Sequence, residues 1–315
     1  MDRVYVTRRI PDEELARLSP YDVAVWAGEG PVPYEILAEE IGGVRGLLTM
    51  LTDTIDERLL RRSRGLEVVS QMAVGLDNID VAACLARGIL LGHTPDVLTE
   101  TVADTAFALL GSIVRRLPEG EREVRAGEWG PWEMFHLAGG DLHGAVLGIL
   151  GMGRIGRAVA RRATGFDMEV IYSSPREVAV DSRRVELEEL LAEADHVVVC
   201  TPLDDKTRGL ISARELALMK PTSYLVNVSR GPVIDTEALV AALESGQIGG
   251  VALDVTDPEP LPPDHPLLSF ENCLVVPHIA SASVRTRMAM ARLAVDNLIA
   301  GLEGRPMPAG YGPGG

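Results

Sequence analysis

The feature that most constrains this chain is Gly151-Met152-Gly153-Arg154-Ile155-Gly156, which follows an apolar run at 145–150 and opens a helix-like stretch at 154–163. Glycines at that spacing between a strand and a helix serve a tight turn, a close approach of backbone to ligand, and close packing of helix on strand. The helix that starts there offers unpaired N–H groups and the positive end of its dipole. That setting suits a pyrophosphate, and the motif reads as a dinucleotide fingerprint.

The rest of the chain repeats the same alternation. Before the motif, β-rich runs at 4–7, 22–26, 46–51, 66–70 and 88–91 alternate with helix-like stretches, and after it runs at 169–172, 196–200, 223–228, 250–253 and 273–276 do the same. Such repeated βαβ units predict an α/β fold of two doubly wound parallel-sheet domains. A length of 315 residues suits two domains. Segment 99–117 carries Val102, Ala106, Leu109, Leu110, Ile113, Val114 and Leu117 at helical spacing; it predicts one long buried helix, stopped at Pro118 and connecting the domains. An amphipathic helix is expected over 288–302, with Met288, Leu293, Val295, Leu298 and Ile299 available for one face, and a loose tail over the Gly/Pro-rich 306–315.

Composition narrows the partners. With 46 acidic against 30 basic residues the formal net charge is −16, which repels a phosphate backbone at long range, so nucleic acid is not expected as a partner. No apolar run has the length of a membrane span. The N-terminus lacks the charged, apolar, small-residue order of a signal peptide, so a cytoplasmic location is expected. Cys84, Cys200 and Cys273 are far apart and odd in number, forming neither a disulfide framework nor a metal knuckle.

Several polar residues fall just beyond strand ends: Arg230 after 223–228, Asp254 and Glu259 after 250–253, and His278 after 273–276. In an open α/β sheet ligands bind outside the carboxyl ends of the strands. If these strands are parallel neighbours, the groups share one crevice with the dinucleotide. An arginine, a histidine and a carboxylate beside a nicotinamide suit reduction of a 2-oxo acid. The planar guanidinium pairs the substrate carboxylate and polarises the neighbouring carbonyl, while the imidazole gives a proton to the carbonyl oxygen. A glutamate on the other ring nitrogen holds the tautomer and favours imidazolium. This chemistry requires no metal.

At these residues the sequence resembles the D-isomer-specific 2-hydroxyacid dehydrogenase family, most closely its glyoxylate/hydroxypyruvate reductase branch. The resemblance rests on Met72 to Asp80 (MAVGLDNID), Glu100 to Asp104 (ETVAD), Gly151 to Gly156, Val226 to Asp235 (VNVSRGPVID), Leu253 to Pro260 (LDVTDPEP) and Pro277-His278-Ile279, and it spans nearly the whole chain. It implies a Rossmann-type cofactor domain, 97–285, inserted in a discontinuous flavodoxin-like substrate domain, 1–96 and 286–315, and a homodimer. It further implies that Arg230 binds substrate, Glu259 partners the histidine and His278 is the acid/base, with Val74 and Gly75 offering N–H groups to the substrate carboxylate. Thr105, Arg154, Ile155, Thr201, Pro202, Val228, Asp254 and His278 match positions that line the cofactor cleft, Asp254 near the carboxamide. Segment 127–132 is similar to the loop that places a tryptophan at the partner's substrate pocket, which assigns that place to Trp132.

The function implied is NAD(P)H-dependent reduction of glyoxylate and hydroxypyruvate to glycolate and D-glycerate. The same resemblance is shared by dehydrogenases of other D-2-hydroxy acids and by dinucleotide-sensing corepressors, against which the short tails stand. In NAD-preferring sites an acidic residue roughly 20 positions after the glycines holds the ribose hydroxyls. Here that strand end reads Ser173-Ser174, with Arg176 close by to pair a 2′-phosphate, although Pro175 stands where NADP-using relatives carry an arginine. NADPH is therefore expected to be preferred and NADH accepted.

Overall fold

The computed structural model describes residues 2–312. The chain folds as two compact units, Met1–Leu98 with Ala282–Gly315, and Thr99–Ser281. In the first unit, β1 (Arg3–Val6), β2 (Asp22–Val25), β3 (Gly46–Thr49), β4 (Val68–Gln71) and β5 (Leu90–Gly92) are parallel, in the order β5-β4-β3-β1-β2. That is the flavodoxin-like winding. Valine- and leucine-rich runs form these strands because the sheet is covered on both faces, so both sets of alternating side chains are apolar.

The second unit holds β6 (Val146–Leu150), β7 (Glu169–Ser173), β8 (Arg183–Arg184), β9 (His196–Val199), β10 (Tyr224–Asn227), β11 (Gly250–Leu253) and β12 (Cys273–Val275). All are parallel, in the order β12-β11-β10-β9-β6-β7-β8. The order reverses at β6, which is flanked by β7 and β9, so the Rossmann switch point lies where the glycine motif begins. β9 and β11 are buried along their whole length.

Three expectations are corrected. The segment 99–117 is not one helix ended by Pro118: the helix Thr99–Val114 stops first, Arg116 takes the left-handed conformation with φ 52°, and a second helix, Leu117–Ala126, starts with Pro118 in its opening turn. Proline is tolerated there because the N–H it lacks would have no partner in the helix anyway. The helix expected over 288–302 begins earlier, at Val284, where Ser283 accepts from the Thr286 amide. Its most buried face is Met290, Ala291, Ala294, Val295 and Leu298, with Met288, Leu293 and Ile299 only partly covered.

The expected tail is fastened as well. β13 (Gly310–Tyr311) pairs antiparallel with β5, Gly310 opposite Gly92. Buried Asn297 joins the two, donating to the His93 carbonyl at 2.9 Å and accepting from the Ala309 amide at 2.8 Å. The remaining residues of that segment, 313–315, lie outside the described residues. No helix among the described residues is long and apolar enough to cross a membrane.

Candidate active site

The site in the second unit is built from strand ends. After β6 the chain turns at Gly151, whose φ of 97° suits glycine and whose N–H donates to the Ser173 carbonyl at 2.9 Å. A Cβ on Gly151 would lie 2.7 Å from the Thr201 nitrogen, and one on Gly156 would lie 2.2 Å from the Gly151 carbonyl oxygen. Those two glycines are required by the chain's own packing. Gly153 differs, since a Cβ there would meet nothing within 4 Å. Its space is open toward whatever binds at the turn.

The helix Arg154–Ala163 starts at Gly153 with no side-chain cap and no acidic residue in its first turn. Its leading N–H groups and dipole are thereby left for an anion. An open glycine, an uncapped helix start and a sheet switch point together fit a dinucleotide. Residues Arg154, Ile155, Thr201, Pro202 and Val228 all lie on this unit's strand-end loops or on that first helical turn. Thr105 is engaged differently: its hydroxyl lies 3.0 Å from the Thr101 carbonyl and 3.1 Å from that of Ala280, tying its helix to the segment after His278.

On the other side of the switch point one buried amide organises the arginine turn. Asn227 Oδ1 accepts from the Ser229 amide at 3.0 Å and from its hydroxyl at 3.1 Å, while Nδ2 donates to the Arg230 carbonyl at 2.8 Å. Arg230 Nη1 donates to the Ser229 carbonyl at 2.8 Å. Next in the chain, Gly231 lies so close to the loop after β11 that a Cβ would be 2.0 Å from the Thr256 carbonyl oxygen. This contact locks the arginine loop to the loop that carries Glu259.

His278 Nδ1 lies 2.6 Å from Glu259 Oε1, and Glu259 Oε2 accepts from the Thr256 amide at 3.4 Å. A carboxylate can only accept, so Nδ1 carries the proton and Nε2 is the ring atom left to meet a substrate. Burial pushes the Glu259 carboxyl up, but the hydrogen bond and charge of His278, the Thr256 amide and the Arg230 charge outweigh it, holding the group below the usual carboxylate range. His278 itself sits at φ 52° with its amide donating to the Asp254 carbonyl at 2.9 Å.

Asp254, only 1% exposed, holds that turn from below: its carboxylate accepts from the Ile279 amide at 2.7 Å and the Ala280 amide at 3.0 Å. Burial raises the Asp254 pKa despite those amides. The sequence motif gave no hint of this anchoring role. Asn227 and Thr256 were likewise missed; the available signal was a polar residue placed where a buried strand ends.

β7 ends at Ser173. Ser173 and Ser174 are half-buried, and Arg176 is exposed. Arg184 of β8, which sequence reading passed over, donates from Nε to the Ser174 carbonyl at 3.1 Å. Trp132 is 85% exposed, on a segment where Trp129, Met134 and Phe135 are also exposed. Val74 and Gly75 belong to the first unit, in the loop after β4.

A Rossmann-order sheet with this turn at its switch point, and an arginine and a glutamate-bonded histidine at the ends of neighbouring strands, defines a dinucleotide-dependent dehydrogenase. Residues 107–280 match the family model described as D-isomer specific 2-hydroxyacid dehydrogenase, NAD binding domain. The chain is 44% identical to the glyoxylate reductase of Korarchaeum cryptofilum, over 97% of this chain and 94% of that protein. It is 43% identical to the human glyoxylate reductase/hydroxypyruvate reductase, over 98% and 97%. Among solved structures, the NADPH-dependent glyoxylate/hydroxypyruvate reductase of Sinorhizobium meliloti, in complex with NADP and malonate, is 34% identical with a TM-score of 0.86, covering 98% of this chain and 96% of that one. The chain belongs to the D-isomer specific 2-hydroxyacid dehydrogenase family.

Proposed function

We propose that this protein reduces glyoxylate and hydroxypyruvate, giving glycolate and D-glycerate, with NADPH preferred and NADH accepted. The observation that carries the reading is the 2.6 Å contact of His278 Nδ1 with Glu259, in a loop locked to the Arg230 turn at Gly231. The names of the human and Sinorhizobium meliloti relatives support the substrate class. The nicotinamide supplies the hydride. Arg230 pairs the substrate carboxylate and polarises the carbonyl, His278 Nε2 gives the carbonyl oxygen its proton, and Glu259 stabilises the imidazolium from which that proton leaves. In the first unit, Val74 and Gly75 give N–H groups to the substrate carboxylate.

In this reading the second unit holds the dinucleotide through Thr105, Gly151, Gly153, Arg154, Ile155, Gly156, Thr201, Pro202, Val228, Asp254 and His278. Ser173 and Ser174 leave room for a 2′-phosphate without the repulsion of an acid, and both Arg176 and Arg184 belong to the same region as its counter-charges. The exposed aromatic segment around Trp132 supports a homodimer in which that tryptophan meets the partner's substrate pocket. The cytoplasm is the proposed compartment.

The test is steady-state oxidation of NADPH and NADH with glyoxylate, hydroxypyruvate and bulkier 2-oxo acids. The two small acids with NADPH should give the highest kcat/KM, and no turnover with any 2-oxo acid would refute the enzyme assignment. Ser174→Asp should penalise NADPH selectively; an unmoved cofactor ratio would remove this strand end from specificity.

A further inference from the structure

The loop after β4 carries an arrangement that neither its sequence nor the family assignment explains. Three successive carbonyls are each held by a donor: Ala73 O by the Thr94 amide at 2.9 Å, Val74 O by His93 Nδ1 at 3.0 Å, and Gly75 O by Nε2 of buried Gln71 at 3.1 Å. In a trans peptide the C=O and the following N–H point opposite ways. Fixing these carbonyls therefore turns the N–H groups of Val74, Gly75 and Leu76 away from those donors. None of the three donates to an acceptor among the described residues. Because a carbonyl can only accept, His93 Nδ1 must carry a proton, whatever the state of Nε2.

His93 is itself fixed by the C-terminus of the chain. Its amide donates to the Ala309 carbonyl at 3.1 Å, its carbonyl accepts from Asn297 at 2.9 Å, and its ring meets the Tyr311 ring edge-on with centroids 5.8 Å apart. Gln71 is steadied by Asn78, whose own amide donates to the Asp53 carbonyl at 2.7 Å.

We propose that His93 and Gln71 are positioning residues that aim three backbone donors, those of Val74, Gly75 and Leu76, at the carboxylate of the 2-oxo acid, and that the strand Gly310–Tyr311 acts in substrate binding by seating His93. The inference rests on the reading of this loop as the carboxylate-binding segment and adds to it the third donor, the side chains that orient it and the C-terminal strand.

The experiment uses the full chain saturated with NADPH, and measures KM and kcat for glyoxylate together with the Kd of oxalate, a carboxylate probe that is not turned over. His93→Phe keeps a ring against Tyr311 but removes the donor; KM and the oxalate Kd should both rise at least about fivefold, the worth of one lost hydrogen bond, with NADPH affinity unchanged. His93→Asn restores an N–H donor without the ring and should recover most of that loss. A merely structural histidine gives the opposite ranking, with Phe tolerated and Asn impaired. Gln71→Met should act in the same direction as His93→Phe and serves if the latter fails to fold, while Tyr311→Ala should produce a smaller shift of the same sign. Parental KM and oxalate affinity in His93→Phe and Gln71→Met would overturn the positioning role alone. If the parent turns over glyoxylate but its NADPH complex does not bind oxalate, the carboxylate reading of the loop falls, and this inference with it.

Discussion

At the scale of single residues, the proposed chemistry depends on one proton and the group that holds it. His278→Ala is expected to lower kcat by about 10²- to 10⁴-fold, the usual worth of a positioned acid, with NADPH affinity little changed; near-normal turnover would remove the histidine from the mechanism. For Glu259→Gln the fold should survive, because the amide keeps an acceptor for Nδ1, but its lost charge no longer favours imidazolium. The variant's kcat for glyoxylate should then fall by about tenfold or more with NADPH affinity kept, which steady-state kinetics read directly. A different histidine sets an acid limit on stability. His196, 3% exposed at the start of β9, sits with Nε2 3.1 Å from the Asp141 carbonyl, and its Nδ1 has no partner among the described residues. Burial pushes its pKa down, outweighing the Asp141 carbonyl and the Asp195 charge. The unfolded chain, with histidine near 6.5, therefore binds the proton more readily than the folded one. This contribution to stability is full above about pH 6.5 and is lost as the pH falls through the depressed folded value. Denaturant unfolding between about pH 7 and 5 should show that slope, and His196→Leu should flatten it; an equal slope in both proteins would assign the acid limb to other groups.

At the scale of elements, two glycines separate what the fold needs from what a ligand needs. Gly231→Ala forces a Cβ onto the Thr256 carbonyl, from which an ideal Cβ would lie only 2.0 Å away, and should cost about 1–3 kcal/mol of stability as the arginine loop is pushed off its neighbour. Gly153 has an ordinary φ of −77° and no neighbour for a Cβ, so Gly153→Ala should leave the melting temperature unchanged. If the helix start cradles a pyrophosphate, the same substitution should weaken NADPH binding by about tenfold, equivalent to roughly 1.4 kcal/mol of steric cost. Parental NADPH affinity in a stable Gly153→Ala protein would move the dinucleotide away from this turn.

At the scale of the whole molecule, the exposed apolar segment is the feature a single copy leaves unexplained. Trp129 and Trp132 are 74% and 85% exposed, alongside exposed Met134 and Phe135. Isolated surface hydrophobics are ordinary, whereas four large ones within seven residues are the observation that motivates the proposed homodimer. Sedimentation equilibrium should give the mass of two chains despite the formal charge of −16 on each. Trp132→Ala should change the ratio of kcat/KM for glyoxylate and hydroxypyruvate in an intact dimer. An unchanged ratio would leave Trp132 as interface packing, and a monomeric parent would remove the partner's pocket from the scheme.

What could be read in the chain alone was whatever short-range physics dictates. The glycine spacing, the apolar runs of β6, β9, β10 and β11, and the placement of Arg230, Glu259 and His278 just past strand ends are local patterns, because a parallel strand buried on both faces must be apolar and must stop where polar residues begin. The long helix was misread at Pro118 because proline signals a break without saying on which side; the left-handed Arg116 decides that. Other features belong to the tertiary structure. The two-residue β13 has no pattern of its own and exists through pairing with β5 and the bonds of Asn297. The 2.6 Å bond between Glu259 and His278, the anchoring of that turn by Asp254, and the holding of the Val74 carbonyl by His93 all join residues far apart in the chain. Such contacts carry no periodicity, because their energy depends on where the sheets bring the loops and not on spacing along the chain.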